Sequence, residues 1–468
     1  MLVAALFALC CSTPSELGEG NREARPNVLL ISIDTLRADH LGSYGYARDT
    51  SPFLDSLAAV GVRFHSAFAQ ASWTLPSHMS LLTSTYPGTH RVETSRRALP
   101  SAIPTLAEQL QGAGYATAGY VSWIYLKSEY GFGRGFDRYV ELLPETSLQD
   151  SATHHSIRSE AFVDRALEWV RDPPAQPWFL FLHLFDPHMS YEPPLDIAQR
   201  YDPSLDGLQS GSYEVLSRYI DGLRDDAPAV PPEVLRHATA LYDGEVRFVD
   251  RALRRFFAAL EDRGLLESTV VVVTSDHGEE LDDHGSMEGH QWTLYDEVIR
   301  VPLIVVLPGS FSSRERSSRV ENRMVQTIDV APTVLELGGI EVPAEFEGRS
   351  LVPLLREESV DWEEFAFSQI RRFNLKWALR TPSHKLIYNQ DPETDERGMP
   401  IRAGFELFDL VADPREQDNL YDPEDPLTQK LMARLRQLIE ERPDYGAGEA
   451  PILSDEELER LKALGYAQ

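Results

Sequence analysis

Cysteine is nearly absent. The 468 residues contain two, Cys10 and Cys11, both inside a short apolar start. The rest of the chain therefore has no disulfide framework, no thiol nucleophile and no thiolate metal ligand. Positive charge is scarce as well. Lysine and arginine number 44 against 74 aspartates and glutamates, a formal charge of -30 spread along the chain. Such a field repels nucleic-acid phosphates and argues against a nucleic-acid partner. An anionic substrate would need a metal or a few local cations to offset it. Beyond the start, no run is long and apolar enough to cross a membrane as a helix. Internal repeats and low-complexity tracts are also missing.

The start itself, Met1 to Ser12, reads MLVAALFALCCS and is followed by a polar run to Arg25. It has the texture of a secretory leader and is too short for an ordinary membrane-spanning helix. The ending resembles a bacterial lipoprotein signal with Cys10 or Cys11 as the lipidated residue, although Leu9 is large for that pattern. The expectation is an exported protein, periplasmic or on the outer surface, with a membrane tether through that cysteine. A cytoplasmic chain with a chance apolar start is the alternative.

The remainder is organised around Val270 to Gly278, VVVVTSDHG. Five β-branched residues end abruptly in polar side chains, the pattern of a buried strand delivering donors at its carboxyl end. Asp276 and His277 are adjacent oxygen and imidazole donors, a plausible metal pair. Val28 to Ile33 repeats the arrangement and ends in Asp34. Ligands of open α/β sheets gather beyond the carboxyl ends of strands, so two distant segments converge there. Thr74 precedes Pro76 and a run, Ser77 to Thr83, that reads as the start of a helix. Its hydroxyl is either a cap or, beside a metal, a nucleophile. A third apolar strand, Trp178 to Leu182, runs into His183, Asp186 and His188. His183 could be a satisfied strand-end histidine, whereas His188 follows Pro187 in a loop. Further histidines, His284 and His290, lie in the loop after Gly278.

Other segments frame these. Helices are expected over Ser51 to Val60, Ile103 to Gly114, Ser159 to Val170 and Val234 to Leu260, the last with a kink near Gly244. Arg300 to Val306 is another strand. Leu195 to Pro232 is polar and acidic and reads as an excursion over the sheet. The glycines at 131, 133 and 135 do not form a dinucleotide fingerprint, because their spacing and setting are wrong. Beyond about Leu355 the texture changes to short strands, Trp377 to Arg380 and His384 to Tyr388, then a helix from Leu427 to Arg442. Leu453 to Leu464 could form one more. The division is leader and linker over 1–25, a main domain over 26–355 and a small α+β domain over 356–468.

Taken in order, Asn27 to Asp34 with Arg37 and Asp39, Thr74-Leu-Pro-Ser-His78, Asp186-Pro-His188, Thr274 to Glu279, Leu294 to Pro302 and Asp329 to Thr333 resemble the sulfatase family of the alkaline-phosphatase superfamily. The resemblance implies an α/β fold, a large mixed sheet flanked by helices with a small C-terminal α+β domain. It implies hydrolysis of an anionic sulfate or phosphate ester on one or two divalent ions (Ca, Mg, Mn or Zn). By position, the metal ligands are Asp34, Thr74, Asp276 and His277. Thr74 stands at the nucleophile position, with His78, His188 and His290 as further catalytic candidates.

The departures from the family shape the chemistry. Sulfatases carry Cys or Ser in a Cys/Ser-x-Pro-x-Arg motif and oxidise it to formylglycine. Here those places hold Thr74 and His78. A secondary alcohol does not suit that maturation, so no formylglycine is expected. The family's second Asp is Thr35, and its Lys before Tyr295 is Gln291, beside His290. A formylglycine sulfate escapes by elimination, which a Thr-sulfate cannot do. Thr74 therefore favours phosphoester chemistry, including phosphodiester or phosphonate monoester cleavage. A sulfatase using direct water attack, a transferase of phosphoryl-linked head groups and a non-catalytic binding protein are the alternatives.

Overall fold

The computed structural model describes residues 25–143, 157–174, 177–219, 229–287, 289–312, 318–372, 375–390 and 404–454. The apolar leader with both cysteines lies outside them, as does nearly all of the tail helix expected from Leu453 to Leu464.

Eight strands form the main sheet among the described residues: β1 Asn27–Ile33, β2 Val62–Phe68, β3 Ala116–Val121, β4 Arg138–Glu141, β5 Trp178–Leu184, β6 Thr269–Thr274, β7 Arg300–Val306 and β8 Arg319–Gln326. Their order is β4-β3-β5-β1-β6-β7-β2-β8. β7 runs antiparallel to β6 and β2, and the other neighbours pair in parallel. The sheet is mixed, as expected. β1 and β6 are buried along their whole length, which is why each reads as a near-continuous apolar run.

Alternation of side chains across the pleat divides the core in two. Val28, Leu30, Val270 and Val272 face one cluster, with the helices Thr74–Thr83, Leu106–Gly112 and Val330–Leu337. Leu29, Ile31, Val271 and Val273 face the other, with the helices Pro52–Ala58, Ser159–Arg171 and Pro232–Glu261. Each such side chain contributes roughly 1.5–3 kcal/mol by leaving water. With both faces covered, the carboxyl ends of β1, β5 and β6 are fixed side by side.

Three expectations are corrected. The helix Pro232–Glu261 runs 30 residues without interruption, so Gly244 marks no break. A Cβ there would stand 2.7 Å from Pro193 Cγ and 3.3 Å from Ala198 Cα, so its role is close packing of the 193–198 segment. Thr74 is the first residue of its helix, not the one before it, and Trp73 holds the cap position without a side-chain bond. Pro76 is tolerated there because first-turn N–H groups have no intrahelical partner. Finally, β2 and β8 were not expected as strands. Their half-buried patterns, with Arg63, His65, Arg319 and Arg323, carry little apolar signal.

A second sheet, antiparallel in the order β12-β11-β10-β9, comprises β9 Ala366–Arg371, β10 Leu375–Arg380, β11 His384–Asn389 and β12 Gly404–Asp409. The helix Pro426–Glu440 packs on it through Leu431 and Leu435. β9 is tied to the main body: Gln369 N donates to the Gln70 carbonyl at 2.8 Å and Ser368 Oγ to the Ala69 carbonyl at 2.7 Å. Ile370, Ala378, Ile387 and Phe408 belong to the main sheet's core cluster. The small sheet is therefore seated next to the segment that leads into Thr74.

Candidate metal centre

β1 and β6 are neighbours in register, Ser32 opposite Thr274, so Asp34 and Asp276 emerge side by side. Ser275 fastens the two ends together: its hydroxyl oxygen lies 2.6 Å from both the Ile33 and His277 carbonyls, its single proton serving one or the other, and it accepts from Leu36 N. Thr35 sits in the left-handed region at φ 53°, unusual for a β-branched residue. It is held there by Thr35 N donating to Asp276 Oδ1 and by the Tyr242 hydroxyl on its carbonyl. Backbone strain of this kind persists only where the surroundings over-determine it, and it gathers at functional sites.

Asp34, Asp276 and His277 are fully buried, and one ligand atom from each lies within 4.8 Å of the others. Asp34 Oδ1 is 3.7 Å and Asp276 Oδ2 3.3 Å from His277 Nε2. Among the described residues neither of those oxygens has a hydrogen-bond partner, nor has Thr35 Oγ1. His277 Nδ1 donates to the Gly278 carbonyl at 2.9 Å, which puts the ring's lone pair on Nε2. Two orphaned carboxylate oxygens around an aimed imidazole nitrogen fit a hard or borderline divalent ion. The electrostatics agree. Burial pushes the Asp34 carboxyl up to about 7, against the pull of His277. Burial opposes charging of His277, but Asp276 and Asp34 outweigh it and hold the ring above its ordinary range. These are the strains a cation would relieve.

Thr74 opens a helix whose every residue is buried, and its Oγ1 is 3.4 Å from His277 Nε2. His78, one turn on, points back under that helix. Its Nδ1 lies 3.0 Å from the Thr74 carbonyl and 3.3 Å from Asp276 Oδ2, and its Nε2 2.9 Å from Ser32 Oγ. Burial holds this ring down to about 3, so it is neutral at pH 7. Gly278 lets the chain turn away, because a Cβ there would collide with the Glu297 carbonyl oxygen.

The histidines divide into three groups. His183, inside β5, meets Asp34 Oδ2 at 3.2 Å. His188 and His290 join the metal side: His290 stacks on His277 with centroids 4.9 Å apart, and His188 lies edge-on to His290 at 5.0 Å. His188 Nδ1 donates to the Met189 carbonyl at 2.7 Å, again leaving the lone pair on Nε2. His284 stands elsewhere, with Glu280 and Glu297, stacked on Tyr295. Asp186 turns to Ser159 N and Arg158. One partner escaped sequence reasoning: Glu279, directly after Asp276-His277-Gly278, reaches His290 Nδ1 at 2.7 Å. Its position beside the motif was the available signal.

Comparison with known proteins bears on this arrangement. The family model described as Sulfatase matches residues 26–340, and one described as N-sulphoglucosamine sulphohydrolase, C-terminal, matches residues 284–443. An N-acetylglucosamine-6-O-sulfatase of Bacteroides thetaiotaomicron is 23% identical over 94% of this chain and 89% of its own length. The multifunctional alkaline phosphatase superfamily protein PehA of Trinickia caryophylli is 26% identical over 85% and 91%. Among solved structures, the phosphonate monoester hydrolase of Agrobacterium radiobacter superposes with a TM-score of 0.70 at 22% identity, covering 88% of this chain and 95% of that one. A structure in complex with its substrate D-glucosamine-2-N,6-O-disulfate gives 0.69 at 22% identity, covering 89% and 97%.

Proposed function

The chain belongs to the sulfatase family and is a hydrolase of sulfate or phosphate esters, and from that premise we propose that it cleaves a phosphoester with Thr74 as nucleophile, on a divalent metal held by Asp34, Thr74, Asp276 and His277. The observation that carries this reading is the position of Thr74 Oγ1, 3.4 Å from His277 Nε2 at a buried helix start beside orphaned oxygens of Asp34 and Asp276. When bound, the metal would lower the proton affinity of the Thr74 hydroxyl and offset the ester's charge.

Thr74 gives up its hydroxyl proton to solvent, its Oγ attacks phosphorus in line, and the leaving oxygen departs with the electron pair of the broken P–O bond and takes up a proton. Water then cleaves the Thr74 phosphoryl ester. His290, its Nδ1 held by Glu279 and its Nε2 3.4 Å from the Gln291 amide nitrogen, is kept well below its ordinary range by burial, so it relays the proton of that water to the departing Thr74 oxygen and does not retain it. His188 lines the same side. His78 acts through the helix, positioning Thr74 and Asp276. Phosphorus is preferred to sulfur because a Thr-sulfate has no elimination route, whereas a Thr-phosphoryl ester yields to water.

The test is metal content together with turnover of paired aryl sulfate, aryl phosphate and bis-aryl phosphate, for wild type and Thr74→Ala. The expected result is metal-bound protein whose phosphate or diester turnover falls by about a thousandfold or more in the variant. Full activity of Thr74→Ala would remove the nucleophile assignment. Sulfate turnover in its place would mean water attacks directly.

A further inference from the structure

The places that this family fills with cations around the transferred group hold His78 and Gln291 here, and Tyr120 to Tyr125 contributes none. Arg37 is buried and committed to Asp39 and Asp283. A different cation approaches from the second sheet. Arg372 follows the last residue of β9, the strand tied to Ala69 and Gln70 just ahead of the nucleophile segment. Its Cζ lies 4.8 Å over the ring of Trp73, the neighbour of Thr74. Trp73 meets Tyr125 edge-on at 5.3 Å, and the same guanidinium hydrogen-bonds the Tyr125 hydroxyl. The adjacent Arg371 is oriented differently, 3.9 Å from Glu93.

We propose that Arg372 is a substrate-binding residue, supplied by the second sheet, that receives an anionic oxygen on the leaving portion of the ester. This rests on the hydrolase reading above. Stacking on Trp73 fixes the plane of the guanidinium, and its planar fork suits the paired oxygens of a carboxylate, sulfate or second phosphate. Stacked over Trp73, Arg372 stands beside the residue that precedes the nucleophile, and its charge reaches His290. In a chain of charge -30, a guanidinium held by aromatic side chains beside the nucleophile segment selects substrates carrying a second negative charge.

The experiment is calorimetric binding of phenylphosphonate and 3-carboxyphenylphosphonate to the full, metal-loaded chain, for wild type, Arg372→Ala and Arg372→Lys. Wild type is expected to bind the carboxylated compound about tenfold more tightly. Arg372→Ala should erase that preference while leaving phenylphosphonate within about twofold of wild type. Arg372→Lys should restore part of it. Equal weakening of both compounds would place Arg372 on the transferred group and overturn the proposal, as would an unchanged preference in Arg372→Ala. Failure of wild type to bind either compound would reject the hydrolase reading itself and this proposal with it.

Discussion

His290 Nδ1 stands 2.7 Å from Glu279 Oε1, and both side chains are almost wholly withdrawn from solvent. Burial raises the Glu279 carboxyl to about 8; in its ionised form it accepts from Nδ1–H and leaves the lone pair on Nε2, the form that accepts a proton from water. Glutamine can donate as well as accept, so Glu279→Gln loosens the choice of tautomer without removing volume. The expected loss in kcat is about 10–100-fold with the fold intact. Steady-state kinetics alongside a thermal melt checks it, and an unchanged kcat would separate Glu279 from catalysis.

Asp276 carries two loads. Its Oδ1 accepts from His277 N at 2.9 Å and Thr35 N at 3.3 Å, while its Oδ2 has no hydrogen-bond partner among the described residues. Asparagine keeps the first load and drops the charge. Asp276→Asn should therefore lose metal affinity by well over about tenfold. Without metal its stability should stay within about 1 kcal/mol of wild type, because the buried carboxylate charge that is lost takes with it its attraction for His277. Chelator should lower the melting temperature of wild type and leave that of the variant unchanged. Melting curves with and without chelator decide the matter; identical responses would count against a metal at Asp276.

Gly244 allows a close approach, so Gly244→Ala must push Pro193 or Ala198 away. The expected destabilisation is about 1–3 kcal/mol, although alanine is the better helix former. Denaturant unfolding reads this directly. A stabilised variant would show that the helix gains more from alanine than the packing loses.

His284 gives the fold a pH dependence. Burial opposes its charge, but the 2.5 Å bond to Glu297 outweighs that and raises it to about 9. The folded value lies above the unfolded one of about 6.5. Its contribution is therefore complete below pH ~6.5 and disappears as pH climbs through about 9. Burial raises Glu416 to about 7 and lifts Glu280 as well. These carboxyls bind protons in the folded state that the unfolded chain has already released, so they act in the same direction. Unfolding midpoints should fall from neutral to alkaline pH, and His284→Gln should flatten that slope. An equally steep slope in the variant would exclude His284 as a source.

Much of this architecture was legible because the central strands are buried on both faces. The runs ending at Asp34 and Asp276 announce themselves as apolar stretches closed by polar residues, and parallel neighbours set those ends together. The strands β2 and β8, at one side of the sheet, gave no such signal, since arginines and a histidine occupy their half-buried and exposed positions. Gly244 misled because low helix propensity and a packing requirement call for the same residue. The Glu279–His290 pair lies 11 residues apart in a loop, where no periodicity applies. Arg372 over Trp73 joins segments almost 300 residues apart in sequence, which only the docking of β9 brings together.

The most direct test of the central claim is peptide mass analysis of metal-loaded enzyme quenched in acid during turnover of an aryl phosphate. A phosphoryl group on the peptide containing Thr74, carried by the serine in Thr74→Ser and absent in Thr74→Ala, is the predicted result. Sustained phosphate turnover with no adduct on that peptide, together with an active Thr74→Ala, would contradict it.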